Sequence, residues 1–249
     1  MHINSKSYKP NEIVTGDARL LAPSIQDESV DLIFTDPVYE NIDDYAWLAE
    51  TGKRILKNNS ACLVWIATSQ KAKVMAAMTP FLDYAWTMHL QKNGGMFPGK
   101  SGICVITECL WFEKGKSKTY QKIADWYREG TGKLPDTWSG FEWSKSADAL
   151  SKWLCAFSLE GQMIYDPFTG TGSLPAVCKM QMRNFLASEI NPERADVARK
   201  RLMQTQPPLG IGNAQQSVHL TASGAGGRGQ NSLQSSFIAD DPSAKNGGR

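Results

Sequence analysis

The segment Met163 to Gly172, Met-Ile-Tyr-Asp-Pro-Phe-Thr-Gly-Thr-Gly, constrains the fold of this chain more than any other. Met163 to Tyr165 is an apolar run too short for a helix, and it closes on a turn whose glycines at 170 and 172 permit positive φ. Helical periodicity opens near Ser173, and Pro175 fits within a first helical turn. About 20 residues past the turn a second apolar run, Asn184 to Ile190, carries Ser188 and Glu189 near its end. Strand, glycine turn, helix and strand in this order predict a parallel sheet covered by helices.

The rest of the chain repeats the pattern. Further apolar runs lie at Val30 to Thr35, Ala61 to Ala67 and Ile103 to Phe112, and helical periodicity fills most gaps between them. Asp43 to Leu56 predicts an amphipathic helix, and Leu150, Trp153, Leu154 and Phe157 share one face of another. Trp86 to Phe112 leaves no room for a crossover helix around its glycine-rich loop, which predicts an antiparallel hairpin at one sheet edge. A last helix opens with Asn191 as N-cap and Pro192 at its first position, and ends near Gln204. Residues 1–205 are therefore expected to form one α/β domain. From residue 206 to 249 the sequence is rich in Pro, Gly, Ser, Gln and Asn with few clustered apolar residues, which predicts a disordered tail. Gly115 to Gly140 interleaves Lys116, Lys118, Lys122, Arg128 and Lys133 with Tyr120, Trp126, Tyr127 and Trp138, a composition suited to an inserted binding loop. A small satellite core would use the same aromatics.

Composition excludes little. At 249 residues and 41% hydrophobic content the chain can bury one substantial core. A formal charge of +2 announces no nucleic-acid partner, which would need a local basic patch. The five cysteines, odd in number and without C-x-x-C spacing, read as free thiols in a reducing cytoplasm, with no metal site. No apolar run approaches the roughly 20 residues of a membrane span.

The two functional turns differ in chemistry. Asp-Pro-Phe-Thr-Gly-Thr-Gly lets a ligand approach the backbone at a helix N-terminus, and Glu189 at the end of the next strand can accept both hydroxyls of a ribose. An ordinary strand-to-helix turn would also explain the glycines. No Gly-Lys-Ser/Thr follows, which disfavours a nucleoside triphosphate, and NAD would want a third glycine. The upstream turn, Asp36-Pro37-Val38-Tyr39, offers a carboxylate, a backbone carbonyl and an aromatic face. A purine's exocyclic amine is a poor nucleophile because its lone pair is delocalised into the ring. Asp36 and the carbonyl of Pro37 could accept its two N–H bonds and aim the lone pair at an electrophilic methyl group, while Tyr39 stacks on the extruded base. A plain type I turn with Pro37 at its second position is the competing reading.

With both turns present, the chain resembles the beta group of amino-methylating DNA methyltransferases over roughly Glu12 to Gln204. Asp36, Pro37 and Tyr39 match the Asp-Pro-Pro-Tyr motif of adenine-N6 members, with Val38 departing from it. Phe168, Gly170 and Gly172 match the glycine motif and Glu189 the ribose acid; Gly16-Asp17 is similar to the strand end whose carboxylate meets the cofactor adenine. Lys145 lies in a segment resembling the one that precedes the cofactor motif. The resemblance implies a Rossmann-like methyltransferase fold, a seven-stranded mostly parallel sheet with one antiparallel edge strand. It further implies S-adenosylmethionine as cofactor, held by Asp17, Lys145, Asp166, Phe168, Gly170, Thr171, Gly172 and Glu189. DNA is the implied partner, read by the 115–140 insert through Lys116, Lys118 and Lys122, in the setting of restriction–modification. Many members dimerise, so a homodimer is one assembly it allows. Cytosine N4, an RNA adenine, or a binding module that has lost turnover through Val38 are the alternatives. Valine keeps neither of proline's backbone constraints, so a slowed but active centre is expected.

Overall fold

The computed structural model describes residues 7–91, 97–99, 102–128 and 146–206. Lys145, the glycine loop before residue 97, residues 129–140 of the insert and the tail from 207 lie outside these.

An eight-stranded sheet forms the body of the fold, in the order β1 (Ile13–Thr15), β10 (Asn184–Glu189), β9 (Met163–Asp166), β2 (Val30–Thr35), β3 (Leu56–Ile66), β7 (Ile106–Lys114), β4 (Asp83–Gln91) and β8 (Trp126–Arg128). A separate small ribbon pairs β5 (Phe97–Gly99) with β6 (Gly102–Cys104). All pairings in the large sheet are parallel except those of β7 with β3 and β4. The mostly parallel Rossmann-like architecture expected from the sequence is present. Two details differ. The sheet has eight strands rather than seven, because Trp126–Arg128 of the insert pairs with the end of β4. The antiparallel strand β7 is interior rather than at the edge, because β4 turns back beside it and β8 adds beyond.

Side-chain alternation divides the core between the two faces. Leu32, Phe34, Leu63, Trp65, Ile164 and Phe185 face α4 (Ala147–Phe157), α5 (Ser173–Met180) and α6 (Pro192–Gln204). Ile33, Cys62, Val64, Tyr165 and Leu186 face α2 (Ile42–Ile55) and α3 (Lys71–Met78). Trp65 stacks on Trp153 of α4 with ring centroids 5.0 Å apart. α2 buries Tyr45, Leu48, Ala49, Gly52 and Ile55 at helical spacing. Asp43 and Asp44 in its first turn and Lys53 and Arg54 in its last complement the helix dipole. The five cysteines are free, as expected. Among the described residues no helix is long and apolar enough to cross a membrane.

The topology fixes where a ligand can sit. β2 and β9 are adjacent and parallel, yet the helix after β2 covers one face and the helix after β9 the other. The chain therefore parts at their C-terminal ends, opening the crevice in which sheets of this kind bind ligands.

Candidate active site

Both turns singled out from the sequence sit at that crevice. Thr35, the last residue of β2, donates its hydroxyl to Asp166 Oδ1 at the end of β9, 2.6 Å away. Asp36 and Pro37 follow on one side of this bond and Pro167 and Phe168 on the other. Burial pushes the Asp166 carboxyl up to about 7, against hydrogen bonds that pull it down, and the nearby charge of Asp36 adds to the rise. With a value near 7, Asp166 is about half protonated at neutral pH, which limits repulsion between the two carboxyls. Tyr39 is half-buried against the α4–α5 face of the core, and its hydroxyl bonds Asp36. Burial first, then the Asp36 charge and that bond, hold this hydroxyl protonated. Val38 is 60% exposed.

The glycine turn is shaped by two different constraints. Gly170 has φ +56° and faces open space, since a Cβ there would meet nothing within 4 Å. Gly172 has φ +80° and lies against α6, where a Cβ would come 2.8 Å from Ala198 Cβ. Glu189 braces the turn: Oε2 accepts the Gly170 N–H and Oε1 the Asn191 N–H, each at 2.9 Å. Each carboxylate oxygen can still accept another hydrogen bond. Thr15 pairs with Glu189, and Gly16 N–H donates to the Glu189 carbonyl at 3.0 Å, so Asp17 emerges beside Glu189. The Asp17 side chain caps the short helix α1 (Ala18–Leu21) by accepting the Arg19 N–H.

Asp17, Asp36, Pro37, Tyr39, Asp166, Phe168, Gly170, Thr171, Gly172 and Glu189 therefore share one sheet edge. Lys116, Lys118 and Lys122 are exposed but are not brought to it. β7 runs against its neighbours, with Lys114 opposite Ser60 near the start of β3, so the chain leaves β7 at the opposite edge. Lys116 N–H is bonded there to Asn59 Oδ1. The insert returns to the edge that carries both turns only at β8, where Trp126 and Arg128 are exposed beside His89 and Gln91.

Arg201 was not singled out in the sequence. It is buried on α6 and donates to Thr171 Oγ1 at 3.1 Å and Ser173 Oγ at 2.7 Å, clamping the glycine turn. Burial lowers its pKa. Its spacing of three from the buried Ala198 is the available signal.

Because the folded Asp166 value lies above the ordinary 3.8, folded chains keep a proton between about pH 4 and 7 that unfolded chains have released. This group's contribution to stability therefore falls as pH rises through that window and is level above it. The change is on the order of 4 kcal/mol. Asp166→Asn should remove that slope, read as the difference between variant and parent in urea unfolding at pH 4.5 and 7.5.

A Rossmann-like sheet with a braced glycine turn and an Asp-Pro-Val-Tyr turn at one edge defines a methyltransferase-type fold. The family model described as DNA methylase, covering N6 and N4 amino-methyltransferases, matches residues 30–200. The chain belongs to this DNA methyltransferase family. It is 26% identical to Type II methyltransferase M.HinfI of Haemophilus influenzae, over 79% of this chain and 69% of that one. Among solved structures, PvuII DNA methyltransferase (cytosine-N4-specific) superposes with a TM-score of 0.68 at 15% identity, covering 78% of this chain and 88% of the other. The M1.HpyAVI–SAM complex superposes with a TM-score of 0.65 at 21% identity, over 77% and 98%. Both share the fold.

Proposed function

We propose that this methyltransferase moves the methyl group of S-adenosylmethionine to the N6 amine of an adenine extruded from DNA. The observation that carries the reading is the Thr35–Asp166 bond, which ties the base-holding turn to the glycine turn at the switch point of the sheet. Gly170 leaves open space for the cofactor and Glu189 has acceptor capacity for its ribose, while Asp17 stands beside Glu189 for the adenine ring. The solved M1.HpyAVI–SAM complex of the same fold supports the cofactor assignment. When bound, the cofactor supplies an electrophilic methyl on a sulfonium. Asp36 and the Pro37 carbonyl accept the two amine N–H bonds, direct the lone pair, and Asp36 receives the proton the amine loses. Tyr39 stacks on the base. Aspartate at position 36, rather than serine, favours adenine over cytosine.

The test is to incubate the full chain with labelled S-adenosylmethionine and genomic DNA, then identify the modified nucleoside by mass. N6-methyladenine is expected; N4-methylcytosine would overturn the adenine assignment. Glu189→Gln, which keeps one carboxylate-like acceptor for the turn, should weaken S-adenosylmethionine binding about tenfold by calorimetry.

Residues 1–205 form the catalytic domain in this reading, and the 115–140 insert contributes to DNA recognition at the end that returns to the catalytic edge. Arg128→Ala should therefore weaken DNA binding and lower its salt slope by about one. Substituting Lys116, Lys118 and Lys122 together should leave that slope unchanged, and a flattened slope would move the DNA path to the opposite edge.

A further inference from the structure

Asp44 is a carboxylate in the first turn of α2, and the helix dipole alone would favour an acid there. The dipole does not explain its surroundings. Asp44 is 8% exposed, and burying a carboxylate is costly unless its oxygens are paired. Here Oδ1 accepts Arg19 Nη2 at 2.5 Å and Oδ2 accepts Asn41 Nδ2 at 2.8 Å. Asn41 in turn closes the base-holding turn, its N–H donating to the Val38 carbonyl at 3.1 Å. Arg19 belongs to another part of the site, two residues past Asp17. Its guanidinium lies 5.7 Å from the Trp47 ring centroid, and Trp47 meets Phe168 of the glycine turn edge to face at 5.9 Å. A continuous path of contacts thus runs from Phe168 and Asp17, through Trp47 and Arg19, to Asp44, Asn41 and Val38.

We propose that Arg19 and Asp44 are positioning residues that couple cofactor binding to the base-holding turn. The inference deepens the proposed function and rests on it for the identity of the two ligands. Cofactor seated against Phe168 and Asp17 holds Trp47 and α1, and with them Arg19. Arg19 then fixes Asp44, and Asp44 fixes Asn41 and the Val38 turn in front of Asp36. By linkage, the coupling is reciprocal: cofactor tightens DNA binding by the factor with which DNA tightens cofactor binding.

The experiment uses the full chain and two readouts. DNA affinity is measured with and without S-adenosylhomocysteine, and single-turnover methyl transfer is measured at saturating S-adenosylmethionine. The parent should show a coupling factor of about 5 to 50 in DNA affinity. Arg19→Met and Asp44→Asn should each bring that factor close to one and slow transfer about tenfold, with the double variant no worse than either single one. Arg19→Lys, which keeps the charge, should recover part of both. A slowed transfer with the coupling factor intact would leave a merely structural role and overturn the proposal, as would additive effects. Should Asp44→Asn melt below the assay temperature, Arg19→Met, at a half-exposed side chain, carries the test. A parent that transfers no methyl group to DNA would defeat the proposed function, while the S-adenosylhomocysteine-dependent DNA affinity would still decide the coupling.

Discussion

Replacing Asp36 with alanine will abolish methyl transfer and leave S-adenosylmethionine affinity near that of the parent. Asp36 sits on the β2 side of the crevice, across the Thr35–Asp166 bond from the glycine turn to which the proposed function assigns the cofactor. In the proposed mechanism its carboxylate therefore acts on the amine. An acceptor that strengthens as the amine becomes positive stabilises the transition state more than the ground state, and its loss should cost at least about 3 kcal/mol, roughly a hundredfold in rate. Asp36→Ala also removes the acceptor of the Tyr39 hydroxyl, so a melting curve is needed beside the rate. A well-folded variant with full activity would take Asp36 out of the mechanism.

The second large effect is expected at Gly172, with Gly170 as its control. Alanine at 172 meets two obstacles at once, a left-handed backbone and a Cβ 2.8 Å from Ala198 Cβ and 2.9 Å from its Cα. Left-handed strain of about 1 to 2 kcal/mol and overpacking of about 1 to 3 kcal/mol add to a loss of about 2 to 5 kcal/mol. Thermal unfolding of Gly172→Ala should show it as a clear fall in Tm. Alanine at 170 carries only the strain, because nothing stands within 4 Å. Its Tm should change far less, while S-adenosylmethionine affinity should drop, since the new methyl group occupies the space left for ligand. Equal losses of Tm in the two variants would contradict this division of roles.

Local signals made much of this architecture legible. β2 and β9 announced themselves because central strands bury both faces and read as nearly continuous apolar runs, broken in β2 only by Asp31 and Thr35. α6 was legible from its cap, where Asn191 Oδ1 accepts the Arg194 N–H at 3.1 Å. Four features were not. β1 and β8 are three residues each, too short for any periodicity to register. The edge to which the 115–128 segment is delivered depends on the direction of β7, and direction is a property of pairing that composition does not encode. Arg201 reads as one more solvated helix cation, yet it is buried because two hydroxyls of the glycine turn receive it. The path from Phe168 to Asn41 joins residues of three separate segments, 17–19, 38–47 and the glycine turn, so no single window of sequence contains it.

The Thr35–Asp166 bond spans 131 positions of sequence. At a synthesis rate of about 5 to 20 residues per second, the ribosome releases β2 on the order of ten seconds before β9. Once β3 has followed it, β2 can pair on one side only, and its other backbone edge, in the middle of what will become the sheet, waits for β9. Unpaired apolar edges are where nascent chains pair wrongly. The two turns can therefore meet only late in biosynthesis, when β9 closes the edge that the half-made chain leaves open to wrong pairing.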